Sequence, residues 1–317
     1  MSNFSDSIPN ECHSGYDPFW EGTIYLGTFI FLGIGFYLHA MIMKVILVTE
    51  RKHFQNNSFF KLVMMDSLAS TVIIMNELLF NRLFIYIVSL CSVVSPFFWS
   101  PSILLNLVFI SLNHARLSKS VTQIFMVLNR MTCVLVPTEY ERIWKFLTPI
   151  TCILIVILPS DGMWNLWISR FYAAPNRGGF SFDYIKTVKW AALSLFQSIY
   201  ILTALGFTIV CSSVTLFKLI LLPDRIKSAE KSLCFTSIFI SVTFLMVAAT
   251  QISFISCASC DFTLQYMLQS IAFDIFTIGP AVIIVITNKK IQGSLFWNKK
   301  VNKKISVSIV SAQLSIV

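Results

Sequence analysis

Polar side chains that could do chemistry stand in otherwise apolar surroundings. Arg116, Gln123 and Arg130 recur at seven-residue spacing, so on a helix they share one face, with Asn113 and Ser120 on its adjoining edge. An ionisable group in such a segment is costly and marks a functional site by default. A guanidinium needs a carboxylate, a carbonyl or water. Gln123 and Ser120 read more simply as hydrogen-bonding glue between helices. Asp66 and Lys119 fall at similar depths on neighbouring segments, which predicts a buried ion pair; the blander alternative is that each faces separate waters or amides. Glu77 lies eleven residues beyond Asp66 and is placed to face Arg116 or His114. Arg130, inside Leu128-Asn129-Arg130-Met131 and ahead of Pro137, can brace neighbouring helices or offer its donors to an entering protein. Snorkelling to water is the simpler role for it.

Covalent chemistry finds little support. The four histidines at 13, 39, 53 and 114 are dispersed. There is no His-x-x-x-His pair, no Gly-x-Ser-x-Gly and no pair of carboxylates on one helix face. Cys257-x-x-Cys260 stands alone, and no metal site or cofactor is expected. The chain is therefore read as a non-enzyme.

The elements that carry these residues are set by composition. The 317 residues are 56% hydrophobic and only 12% charged, about half the charge of an ordinary soluble domain at roughly 25%. The mean hydropathy of +0.75 agrees. The apolar surplus must face lipid, which excludes soluble enzymes and nucleic-acid modules. Spans of about 20 residues are needed to cross the hydrocarbon core. Stretches 190–217 and 232–260 lack any charge; 23–48 is broken by His39 and Lys44, 61–80 holds Asp66 and Glu77 after its first residue Lys61, 146–168 holds Asp161 and 263–286 holds Asp274. Pro96 and Pro101 interrupt 83–113, so 83–100 is read as the end of the second span plus a membrane-lying aromatic loop with Phe97, Phe98 and Trp99. A long third span then runs from Ser102 to Val136. The expected fold is all-α, a seven-transmembrane helix bundle.

Charge sets its orientation. With the N-terminus outside and the C-terminus cytoplasmic, Lys44, Arg51, Lys52, Lys61, Arg130, Arg142, Lys145, Lys218, Arg225, Lys227, Lys231 and six tail lysines face the cytoplasm, 17 of 24 basic residues. The expected division is an extracellular segment 1–22, a transmembrane domain 23–288 and a basic cytoplasmic tail 289–317. Residues 1–22 contain no Lys or Arg and do not resemble a cleaved signal peptide. Asn3, in Asn3-Phe4-Ser5, is then a glycosylation acceptor, whereas Asn56 faces the cytoplasm and stays bare. Cys12, Cys91, Cys257 and Cys260 fall on the oxidising side, where three disulfide pairings are open. Cys133, Cys152, Cys211 and Cys234 read as buried small hydrophobes, with lipidation an alternative at the last two.

Several blocks together resemble nematode serpentine chemoreceptors, specifically the serpentine receptor class gamma family, over about residues 23–297. The blocks are Leu128-Asn129-Arg130-Met131-Thr132-Cys133-Val134-Leu135-Val136-Pro137, Tyr140-Glu141 and Trp144; Gly178-Gly179-Phe180, Tyr184, Trp190 and Ser194; and Glu230-Lys231-Ser232-Leu233. Sister classes V and U are the alternatives. The resemblance implies a chemosensory G-protein-coupled receptor in the plasma membrane, with sensory cilia as its expected place. Its implied partners are a heterotrimeric G protein, an unidentified small-molecule or peptide ligand and the lipid bilayer, with no nucleic acid. Asn129, Arg130 and Met131 would serve G-protein coupling, Arg130 standing where rhodopsin-like receptors carry the arginine of Asp-Arg-Tyr. Glu77, Asn113, Arg116, Gln197 and Gln269 would wall a ligand pocket. The departures are the absence of an acidic neighbour to Arg130, of proline in 232–260 and of cysteine in 168–189. A multi-span transporter of a small solute is the rival reading; it would normally show internal repeats with broken half-helices, which seven unequal spans do not provide.

Overall fold

Local signals start the first two helices. Asp17 accepts a hydrogen bond from the Phe19 backbone N–H at 2.9 Å, with Pro18 at the first helical position, so α1 (Pro18–Lys44) begins inside the segment 1–22. Asn57 caps α2 (Ser58–Asn76) in the same way, accepting from Phe59 N–H at 3.0 Å. The chain continues as α3 (Ile103–Leu135), α4 (Tyr140–Asp161), α5 (Leu193–Leu221), α6 (Asp224–Ser256), α7 (Phe262–Thr287) and a short α8 (Lys289–Phe296). The computed structural model describes residues 8–12, 15–221, 224–256 and 262–296. Asn3, Cys257, Cys260 and most of the tail lie outside the described residues.

The seven long helices form one bundle around α3, which touches α2, α4, α5 and α6, while α7 closes the ring between α6 and α1. Residues 117–123 of α3 are buried without a break, which explains a helix that is polar yet internal. Among the described residues five spans are long and apolar enough to cross a membrane by themselves, and a sixth if Val88–Phe98 and Ile103–Leu135, bent by 113°, are taken together. α3 needs its bent neighbour because it carries Arg116, Lys119 and Arg130. α6 has only Ile238–Ser253 as its apolar portion, its start being the charged stretch after Asp224. α4 turns Phe146, Ile153 and Ile157 outward, each more than half exposed; their spacing puts them on one lipid-facing side. Apolar burial gives little drive between helices in lipid, so close packing and polar contacts must fix their arrangement.

The expected boundaries move at three places. α4 starts at Tyr140, ahead of 146, because Tyr140 and Trp144 are anchored to α3, and it stops at Asp161 before a separate turn of helix, Trp164–Ile168. Between α4 and α5 the all-helical pattern is broken by an antiparallel hairpin, β1 (Arg170–Asn176) with β2 (Gly179–Ile185). Its turn puts Arg177 at φ 53, and Gly179 lies so close to the Phe84 carbonyl that no side chain would fit there. Phe180 is buried and stacked on Phe84, 5.0 Å between ring centroids, with Phe98 and Phe182 beside them. Phe98 is thus interior to this aromatic cluster, whereas Phe97 is exposed. Cys133 and Cys152 are half-buried, more accessible than expected, and Cys211 is buried.

Candidate functional site

The polar residues of the bundle gather at three depths along α2 and α3. Nearest the hairpin, α2 departs from α-helical winding. Glu77–Asn81 form a π-turn that continues into Arg82–Tyr86. In an α-helix residues five apart point about 140° away from each other; the wider π winding draws them together. Arg82 Nε therefore reaches Glu77 Oε2 at 3.3 Å, and its Nη2 spans to both oxygens of Asp274 on α7 at 2.7 and 2.8 Å. Glu77 also accepts from Asn81 Nδ2 at 2.9 Å and from Arg116 Nη2 on α3. Of the two partners anticipated for Glu77, Arg116 is in contact, while His114 bonds the Val156 carbonyl at 2.9 Å. Two carboxylates and two guanidiniums thus join α2, α3 and α7. Arg82 and Asp274 are the pair that sequence reading left out of the site, and their charge within or beside apolar spans was the available signal.

The remaining residues anticipated for a pocket make hydrogen bonds of their own. Asn113 Oδ1 accepts from Gln197 Nε2 at 2.9 Å. Gln269 Nε2 donates to Gln251 Oε1 at 3.1 Å, and Gln251 Nε2 to Ser198 Oγ at 2.7 Å. Arg116 lies over the Phe273 ring, 5.0 Å from guanidinium carbon to centroid; Phe273 is one turn along α7 from Gln269. The five residues thus fall in three hydrogen-bonded groups, Glu77 and Arg116 with Arg82 and Asp274, Asn113 with Gln197, and Gln269 with Gln251 and Ser198.

The same end is clasped from above. A disulfide joins Cys12 to Cys91, the Ile8 N–H donates to the Trp99 carbonyl at 3.0 Å, and Arg177 at the hairpin tip lies 3.7 Å from Glu21. Tyr184 OH accepts from the Leu193 N–H at 2.8 Å, seating the hairpin on the start of α5. Burial pushes this phenol above its usual pKa, so it stays protonated at neutral pH.

At middle depth Lys119 Nζ donates to Asp66 Oδ1 at 2.7 Å and to Ser70 Oγ at 2.8 Å, and stands 4.7 Å from the Phe276 ring centre. Lys119 is fully buried and Asp66 nearly so. Close by, His39 on α1 has Nε2 2.9 Å from the Thr277 carbonyl; since a carbonyl only accepts, Nε2 carries the proton. Gln123 Nε2 meets Thr208 Oγ1 on α5 at 3.4 Å, the interhelical contact anticipated for it.

At the opposite end the block around Arg130 becomes a joint. Asn129 is buried; its Nδ2 donates to Ser58 Oγ at 2.9 Å and its Oδ1 accepts from Tyr140 OH at 3.0 Å. Ser58 Oγ and Tyr140 OH are themselves 2.8 Å apart. Trp144 Nε1 donates to Thr132 Oγ1 at 2.7 Å. These bonds tie α3 to the starts of α2 and α4, and they give Asn129, Thr132, Tyr140 and Trp144 a shared physical reason for their order. Arg130 is buried, its guanidinium on the Phe59 ring face at 3.5 Å, while Met131 is half-exposed. Of the three residues anticipated for coupling, Asn129 holds the joint from inside and only Met131 is partly at the surface. Among the described residues no group of three or more His, Cys, Asp or Glu is placed to hold a metal ion.

Similarity to known proteins runs the length of this architecture. The family described as Srg family chemoreceptor matches residues 25–295. Serpentine receptor class gamma-17 of Caenorhabditis elegans is 50% identical over 97% of this chain and 94% of its own length. Serpentine receptor class gamma-15 of the same nematode is 48% identical, covering 96% of each chain, and serpentine receptor class gamma-5 is 36% identical over 98% of this chain and 97% of its own.

Proposed function

This chain belongs to the Srg family of serpentine chemoreceptors, and from that membership we propose that it works as a G-protein-coupled receptor that changes conformation on binding an extracellular ligand. The observation that carries the reading is the placement of a hydrogen-bonded ionic assembly at the disulfide-clasped end of α3 and of the Asn129–Arg130 joint at its other end, in a chain whose family consists of chemoreceptors. The ligand site is the assembly around Glu77, Asn113, Arg116, Gln197 and Gln269. The G protein docks where α3 ends, on the face opened when the Arg130 joint separates. A ligand that engages Arg116 differently in the two arrangements shifts their populations, the only way binding can drive the switch. Asp66–Lys119 lies between the two sites and transmits whether α2 and α3 move together. The receptor resides in the plasma membrane, with the cilia of chemosensory neurons as its place of action.

This reading requires the N-terminus outside and the basic tail within. The distribution of lysine and arginine supports it, and so does the Cys12–Cys91 disulfide beside the N-terminus, since disulfides persist in oxidising compartments. The extracellular segment 1–22, the membrane domain 23–288 and the cytoplasmic tail 289–317 follow from that orientation. The expected result in transfected cells is a glycosidase-sensitive band that vanishes in Asn3→Gln and is unchanged in Asn56→Gln. Glycan on Asn56 alone would invert the receptor, turn the ligand site toward the cytoplasm and end the proposal.

A further inference from the structure

The pocket reading above leaves the ligand's chemistry open, and the inventory of donors and acceptors around Arg116 narrows it. The carboxylates are taken. Glu77 receives hydrogen bonds from Asn81, Arg82 and Arg116, and both oxygens of Asp274 lie on Arg82 Nη2. The donors are not. A guanidinium carries five N–H groups, and among the described residues the hydrogen bond of Arg116 is made through Nη2, while its Nε is buried without a partner. The side chain nevertheless keeps 24% exposure, against 4% for Glu77, and its guanidinium carbon lies over the Phe273 ring, 5.0 Å from the centroid.

An amine entering this site would need an acceptor and would find both carboxylates engaged by arginine. To bind, it would have to evict Arg82 or Arg116 and leave a guanidinium without its counter-ion, a costly outcome at such a depth. A carboxylate meets the opposite situation. It finds a planar cation with open donors, matched to two-oxygen recognition and already oriented by an aromatic face. If it takes Arg116 from Glu77, Glu77 retains Asn81 and Arg82, so neither group loses all its partners.

We propose, resting on that pocket reading, that the ligand is a small organic acid whose carboxylate lands on Arg116, with its remaining polar groups toward the amides of Asn113, Gln197 and Gln269. The exchange of one carboxylate for another releases α2 from α3 at their Glu77–Arg116 contact. That gives the ligand contacts which differ between the closed and open arrangements, as a switch requires.

The test reads the preference of the site for charge through a thiol placed inside it. Gln269→Cys, with Gln197→Cys as the second position, is made in a receptor retaining only Cys12 and Cys91 among its native cysteines and is expressed at the surface of intact cells. Two reagents of similar size are applied outside, 2-sulfonatoethyl methanethiosulfonate, an anion, and 2-(trimethylammonio)ethyl methanethiosulfonate, a cation. Relative to a free thiol in solution, the anion-to-cation rate ratio is expected to rise several-fold, since Arg116 keeps donors that Glu77 does not use, and to fall back when Arg116→Gln is added. Preference for the cation, or a ratio indifferent to Arg116→Gln, overturns the organic-acid assignment while leaving a reachable pocket. Failure of both reagents at both positions on intact cells, with reaction after denaturation, instead removes the pocket itself.

Discussion

Neutralising either Asp66 or Lys119 is expected to destabilise the receptor severely, and neutralising both is expected to cost far less than the sum. The pair is buried, with 2.7 Å between Nζ and Oδ1. Each single change, Asp66→Asn or Lys119→Met, leaves the other member as an uncompensated charge, at a cost of about 3–5 kcal/mol. The double variant removes both charges at once, so its loss reflects packing and the Ser70 contact alone. For a chain of this size the single variants should lower the detergent-solubilised unfolding midpoint by roughly 5–10 °C. Two singles whose losses add in the double would mean that the ion pair does not act as a unit and that α2 and α3 are held by other contacts.

Arg82 and Asp274 offer an unequal pair. One guanidinium serves two carboxylates, Glu77 at 3.3 Å and Asp274 at 2.7 Å. Arg82→Gln strips Asp274 of its partner and leaves Glu77 only Arg116 and Asn81, whereas Asp274→Asn leaves Arg82 paired with Glu77. The first is expected to cost about 3–5 kcal/mol and to reduce surface expression sharply; the second should cost less than half of that. Thermal unfolding of the two variants beside the parent decides it. Equal losses would show that Arg82 is not shared and that the π-turn is held by something other than this bridge.

The seven-helix pattern was legible because apolar stretches of spanning length and proline breaks are properties of the sequence. The third span, read as 102–136, is Ile103–Leu135 in the structure, bounded by the same prolines. The depth argument also placed Asp66 opposite Lys119 and Glu77 near Arg116, since helical rise converts residue number directly into height. Rotation about the axis is harder to read. Arg82 was left out of the site because regular winding turns it away from Glu77, and nothing in the composition announces the π-turn that brings it back. The hairpin was missed for a related reason: β1 pairs only with β2 and owes its place to Phe180 and Gly179 packing on Phe84, contacts distant in sequence. The pairing of Cys12 with Cys91 spans 79 residues and required the fold. Asn129, expected at the coupling surface, is turned inward because Ser58 and Tyr140 satisfy both ends of its amide.

The central claim is that the Arg130 end of α3 engages a G protein. Arg130 is not extended to water; it is buried with its guanidinium carbon over the Phe59 ring, 3.5 Å from the centroid. Lysine would keep the charge and the apolar stem but not the planar stacking or the five donors. The most direct measurement is recruitment of a panel of engineered Gα subunits to the surface receptor, read by resonance energy transfer, normalised to surface level and stimulated with medium conditioned by nematode cultures. The parent is expected to recruit at least one Gα class, and Arg130→Lys, present at near-normal surface level, to lose most of that recruitment. Full recruitment by Arg130→Lys, or no recruitment of any class by the parent, would contradict the account.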